Sequence, residues 1–204
     1  GHRDGDSARM SEVRPDGESR NLILIGERIR ARRTTKLFLK QKVDPQLIRD
    51  AVDVARWAPN HHVTEPWHFY MMGPEKVEES AALIGTLIRE TKGDEELARF
   101  KEESAQSMPG WLLVTCKRSE DELLQQEDYA AVCCAIQNLT LYLSEAGVAC
   151  KWTTGLITRE KRFFDLMGID FEDEMVAGLL WYGYPKVLPE QSRKPVDEIL
   201  TETN

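Results

Sequence analysis

The sequence has no long hydrophobic run. Its longest early apolar stretch, residues 22–25, is followed at once by Gly26, Glu27 and Arg28. A secretory signal needs about 7–15 consecutive apolar residues, and a membrane-spanning helix needs about 20. We therefore expect a cytoplasmic protein that has no membrane partner.

The sequence also has no excess of positive charge. Its 204 residues include 35 Asp and Glu against 27 Lys and Arg, which gives a formal net charge of -8. An acidic chain repels nucleic-acid phosphates, so we expect no nucleic-acid partner. Any anionic ligand must then be held by a local cluster of basic residues.

Several motifs that mark common active sites are absent. The sequence contains no G-x-G-x-x-G, no P-loop motif, no G-x-S-x-G and no H-E-x-x-H. It therefore does not support a Rossmann dinucleotide site, a P-loop or the common hydrolase elbow. The four cysteines form no C-x-x-C, and His61, His62 and His68 fall on a predicted loop and strand. Because these residues lack metal-ligand spacing, we expect no metal site.

Predicted strands and helices alternate along the chain. Helical spacing predicts a helix that begins at Asp44 and Pro45 and ends near Ala58, and two charged helices over residues 75–107. The alternation favours an α+β fold with a mixed or parallel sheet and helical crossovers. The predicted strands cover residues 66–72, 111–116, 148–152 and 175–184.

A long helix is predicted after the strand at residues 111–116. Ser119 and Glu122 are spaced as a capping box at its start, and Gly147 follows its end. Residues 129–143 are apolar on most faces, so we expect this helix to be buried in a core or a subunit interface. Residues 1–20 have almost no apolar side chains and are expected to form a flexible leader, whereas residues 21–204 are expected to form a single domain.

The densest positive cluster lies at residues 32–36, with the sequence R-R-T-T-K. One interpretation is a solvated helix end, where cations complement the helix dipole. The other is a phosphate clamp, in which arginine offers a bidentate fork, threonine a hydroxyl and lysine a point charge. Taken alone, the segment W-T-T-G at residues 152–155 could also be an ordinary strand-to-loop transition, and the segment S-R-K-P at residues 192–195 an ordinary basic tail.

Taken in order, five segments resemble the FMN-dependent nitroreductase family over about residues 29–199. The segments are R-R-T-T-K, A-P-N-H-x-x-x-E-P-W-H-F, D-Y-A-A-x-x-x-A-I-Q-N-L, W-T-T-G and R-K-P. The A-P-N-H segment is especially similar to that of the short, single-domain bacterial members. The resemblance implies a three-layer α+β sandwich, with a mixed sheet flanked by helices. It also implies an intertwined homodimer with two FMN sites at its interface.

The resemblance assigns cofactor contacts to four parts of the chain. The basic run would grip the FMN phosphate and the flavin pyrimidine edge, and the loop after A-P would reach the flavin of the other subunit. The W-T-T-G segment would lie along the flavin with a backbone N–H near N5, and the late arginine would close on the phosphate. The assigned residues are Arg32, Arg33, Thr34 and Lys36, then Asn60 and His61, then Trp152, Thr153, Thr154 and Gly155, and finally Arg193.

The activity that this resemblance implies is ping-pong reduction of a small nitroaromatic or quinone-like acceptor by NAD(P)H through FMN. No catalytic side chain is assigned, because the flavin carries the hydride. Two alternatives stay open: a specialised member that performs deiodination, flavin breakdown or reduction of unsaturated bonds, and a non-enzymatic flavin-binding or storage protein. The layout of the family suggests residues 75–107 as a lid. Glu65, where glutamine is common, and Lys151 have no assigned role.

Overall fold

The structure is a computed structural model that describes residues 20–204. The expected leader at residues 1–20 therefore lies outside the described residues, except for Arg20. The chain divides into two compact units, of which the first ends at Ala31 and the second spans Arg32–Asn204. The described part of the first unit is helix α1 (Arg20–Ala31), which carries no buried residue. The start of a single domain at residue 21 stays a prediction.

The second unit alternates strands with helices, as the sequence predicts. Residues 75–107 form two helices because Gly93 ends the first with a φ of 63° and Asp94 caps the second. The elements are α2 (Pro45–Ala55), β1 (Trp67–Met71), α3 (Pro74–Lys92), α4 (Glu95–Gln106), β2 (Gly110–Lys117), α5 (Glu122–Glu145), β3 (Ala149–Thr153), α6 (Lys161–Met167) and β4 (Glu174–Gly183), with short 3₁₀ turns at His61–Val63, Leu156–Arg159 and Val196–Glu198.

The four strands form one antiparallel sheet in the order β1-β2-β4-β3. Parallel pairing, which the alternation of strands and helices favoured, is confined in the described residues 20–204 to one bridge between Thr34 and Cys150. The sheet is antiparallel because of the position of β4, the last strand. Strands β2 and β3 do run in the same direction, as a crossover through α5 requires, but β4 inserts between them and runs opposite to both.

Helices cover both faces of the sheet, which confirms the predicted three-layer α+β sandwich. Alternate residues of a strand point to opposite faces, so Leu112 and Val114 face one core and Trp111 and Leu113 face the other. The first core lies against α2 and α5. The second lies against α3, α4 and α6. The sheet is therefore enclosed, and its strands are rich in apolar residues on both sides.

Helix α5 carries much of the first core. Complete burial of one leucine or isoleucine side chain stabilises the folded state by about 1.5–3 kcal/mol. The core therefore needs no disulfide, and all four cysteines are free. The buried residues of α5 are Asp128, Ala131, Val132, Ala135, Ile136, Leu139, Thr140 and Leu143.

Two helix boundaries test the sequence predictions. Asp44 caps α2 as predicted and accepts a hydrogen bond from Gln46 N at 2.9 Å. The helix ends at Ala55 and not near Ala58, because the hydrogen bonds of the turn before Pro59 span three residues instead of four. The prediction of a capping box that begins at Ser119 is wrong. Asp121 is the N-cap of α5, since its side chain accepts from Leu123 N and Leu124 N.

Helices α3 and α4 form the outer layer over the second core. Gly85 of α3 lies so close to α4 that an added Cβ would meet Glu102 Oε2 at 2.6 Å. These helices are therefore packed elements of the sandwich, and a lid movement of residues 75–107 stays a prediction. Among residues 20–204, no helix combines the length and apolar composition needed to cross a membrane.

Candidate functional site

The basic run at residues 32–36 lies in extended backbone along the edge of the sheet. Thr34 forms the parallel bridge to Cys150 of β3, and Phe38 forms an antiparallel bridge to Pro185. Side chains alternate in extended chain. The alternation defines an inward side, made of Arg33 and Thr35, and an outward side, made of Arg32, Thr34 and Lys36.

The inward side is bonded to the chain that follows β4. The Thr35 hydroxyl, in a residue only 4% exposed, donates to Val187 O at 2.9 Å. The Arg33 Nε donates to Pro189 O at 3.1 Å. Lys186 N adds a backbone bond to Leu37 O at 2.9 Å. These contacts hold residues 186–189 against the basic run.

The outward side keeps its polar groups toward solvent. Thr34 and Lys36 are exposed and Arg32 is half-buried. Burial raises the pKa of the Cys150 thiol to about 12, and the positive charge of Arg32 acts in the opposite direction. This coupling places the Arg32 guanidinium near β3. The spacing R-x-T-x-K therefore corresponds to three side chains on one side of an extended segment.

Positive charges from three elements act on one another beside β3. Desolvation lowers the pKa of Lys151, and the charges of Lys36 and Lys101 lower it further. The Lys151 Nζ lies over the ring of Trp181, 5.2 Å from the ring centre. Within residues 20–204, no salt bridge includes any of these three lysines. The cluster is therefore suited to an anionic ligand.

The C-terminal end of β3 is locked against β4 by its own side chains. The Trp152 indole lies across Gly178, where an added Cβ would overlap the ring, and its Nε1 donates to Ala177 O at 3.0 Å. The Thr153 hydroxyl donates to Leu179 O at 2.7 Å. These two side chains are used within the fold, and the strand end is held in a fixed position.

The turn after β3 presents backbone groups to solvent. Gly155 O accepts two bonds from Thr158, from the hydroxyl at 2.7 Å and from the N–H at 3.0 Å. Within residues 20–204, the Gly155 N–H donates no hydrogen bond. Thr154 and Gly155 are both exposed. An unpaired backbone donor on an exposed turn can bind an acceptor atom of a ligand.

A cavity of about 200 Å³ adjoins this turn. It lies between α3 and the ends of β3 and β4, and its walls are mostly apolar. Gly155 and Trp181 connect it to the strand end and to the lysine cluster. The lining residues are Ile84, Leu87, Ile88, Thr91, Lys92, Thr153, Gly155, Leu156, Ile157, Leu179 and Trp181.

Asn60 and His61 lie elsewhere in the single chain. They belong to the loop between α2 and β1, which packs on α5. Asn60 Nδ2 donates to Thr64 Oγ1 at 3.1 Å, and Thr64 Oγ1 donates to Asp128 Oδ1 at 2.6 Å. The loop is thus bonded to α5 through Thr64, and His61 Nδ1 lies 3.5 Å from Glu127 Oε2 of that helix.

Arg193 is exposed, and within residues 20–204 its side chain bonds locally, to Gln191 Oε1 at 3.2 Å and Ser192 O at 2.9 Å. It follows Pro189 by four residues, so extended chain allows at most about 14 Å between them. Because Pro189 is held by Arg33, Arg193 is tethered near the basic run without touching it. Lys101, the single lysine of α4, was missed by sequence reasoning, since the sequence of α4 gives no sign that its charge acts on Lys151 of β3.

Comparisons with known proteins agree on one family. The model of the nitroreductase family matches residues 29–184. The chain is 35% identical over 181 residues to YfhC of Bacillus subtilis, whose assigned name is that of an NAD(P)H nitroreductase, covering 85% of this chain and 91% of that protein.

Solved structures share the fold. A nitroreductase-like family protein from Bacillus cereus aligns with a TM-score of 0.77 and 26% identity, over 88% of this chain and 95% of that one. A nitroreductase with bound FMN from Bacteroides fragilis aligns with a TM-score of 0.70 and 21% identity, over 88% and 98% of the two chains.

Proposed function

Because this chain belongs to the nitroreductase family, we propose that it is an FMN-dependent oxidoreductase that uses NAD(P)H to reduce nitroaromatic or quinone-like acceptors. The observation that carries the proposal is the set of uncompensated cations beside β3. The charge of Lys36 acts on Lys151, and Lys151 lies over Trp181, which lines the same cavity as Gly155. A dianionic phosphate and an electron-rich ring edge are the groups that such an arrangement binds.

The residues of the site fit FMN. Arg32 and Thr34 offer a guanidinium and a hydroxyl for the phosphate, and Arg193 is within reach of the same region. Lys36 and Lys151 offer cations to the pyrimidine edge, and the Gly155 N–H offers a donor to N5. Arg33, which is bonded to Pro189 O, positions the C-terminal segment that carries Arg193.

Bound FMN supplies hydride transfer, which none of these side chains can perform. The protein contributes binding, orientation and charge. A cation at the pyrimidine edge stabilises the negative charge that reduction places there. The apolar cavity beside Gly155 excludes water from the reacting ring and accepts a planar substrate. One cavity used in turn by NAD(P)H and by the acceptor supports a ping-pong order.

We expect each site to be shared by two chains. In one chain, His61 Nδ1 lies 3.5 Å from Glu127 Oε2 of α5, and Asn60 bonds to Thr64 within its own loop. The proposal gives them a role at the flavin of a second copy, which explains how a loop on the α5 side contributes to a site on the edge of the sheet.

The cofactor proposal is tested on purified protein. We expect a yellow protein that retains FMN and oxidises NAD(P)H when a nitroaromatic compound is added. Replacing both Arg32 and Arg193 with alanine removes two charged contacts to the phosphate, each worth about 1.5–3 kcal/mol. Flavin titration by fluorescence should then give an affinity at least about a hundredfold weaker.

The matched control is Arg159→Ala, which removes an exposed arginine of the 3₁₀ turn after β3. It should leave FMN affinity unchanged. A colourless protein that ignores added FMN contradicts the proposal. Flavin binding without NAD(P)H oxidation would favour a storage protein.

The shared site is tested by dilution. We expect sedimentation to give a dimer and flavin affinity to fall as the dimer dissociates, because each site loses the loop of the other copy. Sedimentation and flavin fluorescence are followed over the same range of protein concentration. Full flavin affinity in a verified monomer would rule out the shared site.

A further inference from the structure

Two adjacent histidines and a glutamate converge on the loop between α2 and β1. His61 and His62 lie in the 3₁₀ turn of this loop, and Glu127 lies on α5. One ligand atom from each of the three lies within 4.8 Å of the others. We propose that His61, His62 and Glu127 form a binding site for a zinc-type transition-metal ion within a single chain.

The glutamate is the first argument for a cation. Glu127 Oε2 is buried and accepts no hydrogen bond, and it faces His61 Nδ1 at 3.5 Å. A buried carboxylate oxygen without a donor is unfavourable, and buried charges in proteins are paired or coordinate metals. A cation between the carboxylate and the two rings satisfies this oxygen.

The loop backbone is the second argument. His62 and Val63 both have positive φ, of 63° and 48°, a conformation that residues other than glycine rarely adopt. In ordinary extended chain, adjacent side chains point to opposite sides. Here the turn brings the two imidazole rings to a centroid distance of 4.1 Å, so both can offer a nitrogen to one ion.

The loop is also anchored to the helix that carries the third ligand. Thr64 Oγ1 donates to Asp128 Oδ1 at 2.6 Å, and Asp128 is only 3% exposed. Because Asp128 follows Glu127 directly, this bond fixes the loop next to the Glu127 carboxylate. The histidines and the glutamate are therefore held together by contacts that involve none of the three.

The three ligand atoms, all within 4.8 Å of one another, approach the spacing of a tetrahedral site. Zinc binds nitrogen and oxygen ligands at about 2.0–2.2 Å, which sets neighbouring ligand atoms roughly 3.4 Å apart. Both histidines are exposed, so their rings can rotate to close the remaining distance. Three protein ligands leave one position for water.

The ligand set selects the kind of ion. Imidazole nitrogens suit zinc, copper and nickel, whereas magnesium and calcium prefer oxygen ligands. The sequence expectation of no metal site rested on the placement of the histidines on a loop and a strand, and on the lack of metal-ligand spacing among the cysteines. It could not include Glu127, which only the fold brings to the loop.

The test is calorimetric titration of the purified full chain, as isolated, with zinc chloride alone. We expect one zinc ion per chain, and excess magnesium chloride should not compete. His62→Asn and Glu127→Gln should each weaken zinc affinity by more than about tenfold, since even outer partners of a metal site cost 10–100-fold. His61 is left intact, because it also has a proposed role at the cofactor.

The matched control is His68→Asn. His68 is exposed on β1 and lies outside the cluster, so its loss should leave zinc affinity unchanged. Zinc should also raise the melting temperature of the parent chain and of this control, because a ligand of the folded state stabilises it.

No zinc binding at micromolar protein overturns the proposal. So does an unchanged affinity in Glu127→Gln, because the ion would then be held by an exposed histidine pair alone. If Glu127→Gln does not fold, the exposed His62→Asn decides, and an unchanged affinity in that variant also overturns the proposal.

Discussion

The two sides of residues 32–36 are made of similar residue types and have different roles. On the inward side, Arg33 and Thr35 bond to carbonyl oxygens of residues 187–189. On the outward side, the side chains of Arg32, Thr34 and Lys36 make no such bond to a main-chain oxygen within residues 20–204. The inward side chains are bonded within the fold and the outward side chains are not, although the two sets alternate within a single five-residue motif.

The strongest test of this comparison replaces one threonine on each side with valine. Thr35→Val removes a buried hydroxyl and leaves Val187 O without its donor, which costs about 1–3 kcal/mol in the free energy of unfolding. Thr34→Val changes an exposed side chain and should cost less than about 0.5 kcal/mol. Urea unfolding of the flavin-free proteins measures both changes.

FMN affinity should separate the two variants in the opposite sense. Thr34→Val should weaken FMN affinity directly, whereas Thr35→Val should leave it nearly unchanged. Thr35→Ser keeps the hydroxyl and should restore the stability that Thr35→Val loses. Equal losses in the free energy of unfolding for Thr34→Val and Thr35→Val would contradict the distinction between the inward and outward sides, because both threonines would then contribute equally to stability.

A smaller effect is expected from pH, through Lys151. The pKa of Lys151 is lowered in the flavin-free protein by desolvation and by Lys36 and Lys101. The charged form is therefore disfavoured in the folded state, and Lys151 contributes more favourably to stability as the pH rises through its folded pKa. A bound anion favours the charged form again, so FMN affinity should fall as the pH rises through that same pKa.

Flavin titrations at alkaline pH measure this dependence. The decline is at most about tenfold for each unit by which binding shifts the pKa. Lys151→Arg stays charged and should give a flatter profile at the high end. Identical profiles for the parent chain and this variant would show that Lys151 does not face the ligand.

Local patterns in the sequence predicted the elements of the fold well. Asp44 and Pro45 mark the start of α2, and the apolar run at residues 111–116 marks β2, because caps and burial periodicity act over a few residues. The pairing of strands was not predictable in this way. The position of β4 between β2 and β3 depends on contacts between distant segments, and so does the antiparallel sheet.

The same division applies to the candidate site. The R-x-T-x-K spacing could be recognised because alternation in extended chain is a local property. Lys101 could not be recognised, since its relation to Lys151 depends on how α4 packs over the second core. Glu127 could not be connected to the histidines for the same reason.

By itself, the sequence determined the composition of the core, the helices and strands, and a chain that is acidic overall but carries one dense basic motif. Only the tertiary structure decided which residues of that motif are bonded to distant main-chain oxygens and which are not. Charge and periodicity are written along the chain, whereas desolvation and hydrogen-bond partners depend on which distant segments come into contact.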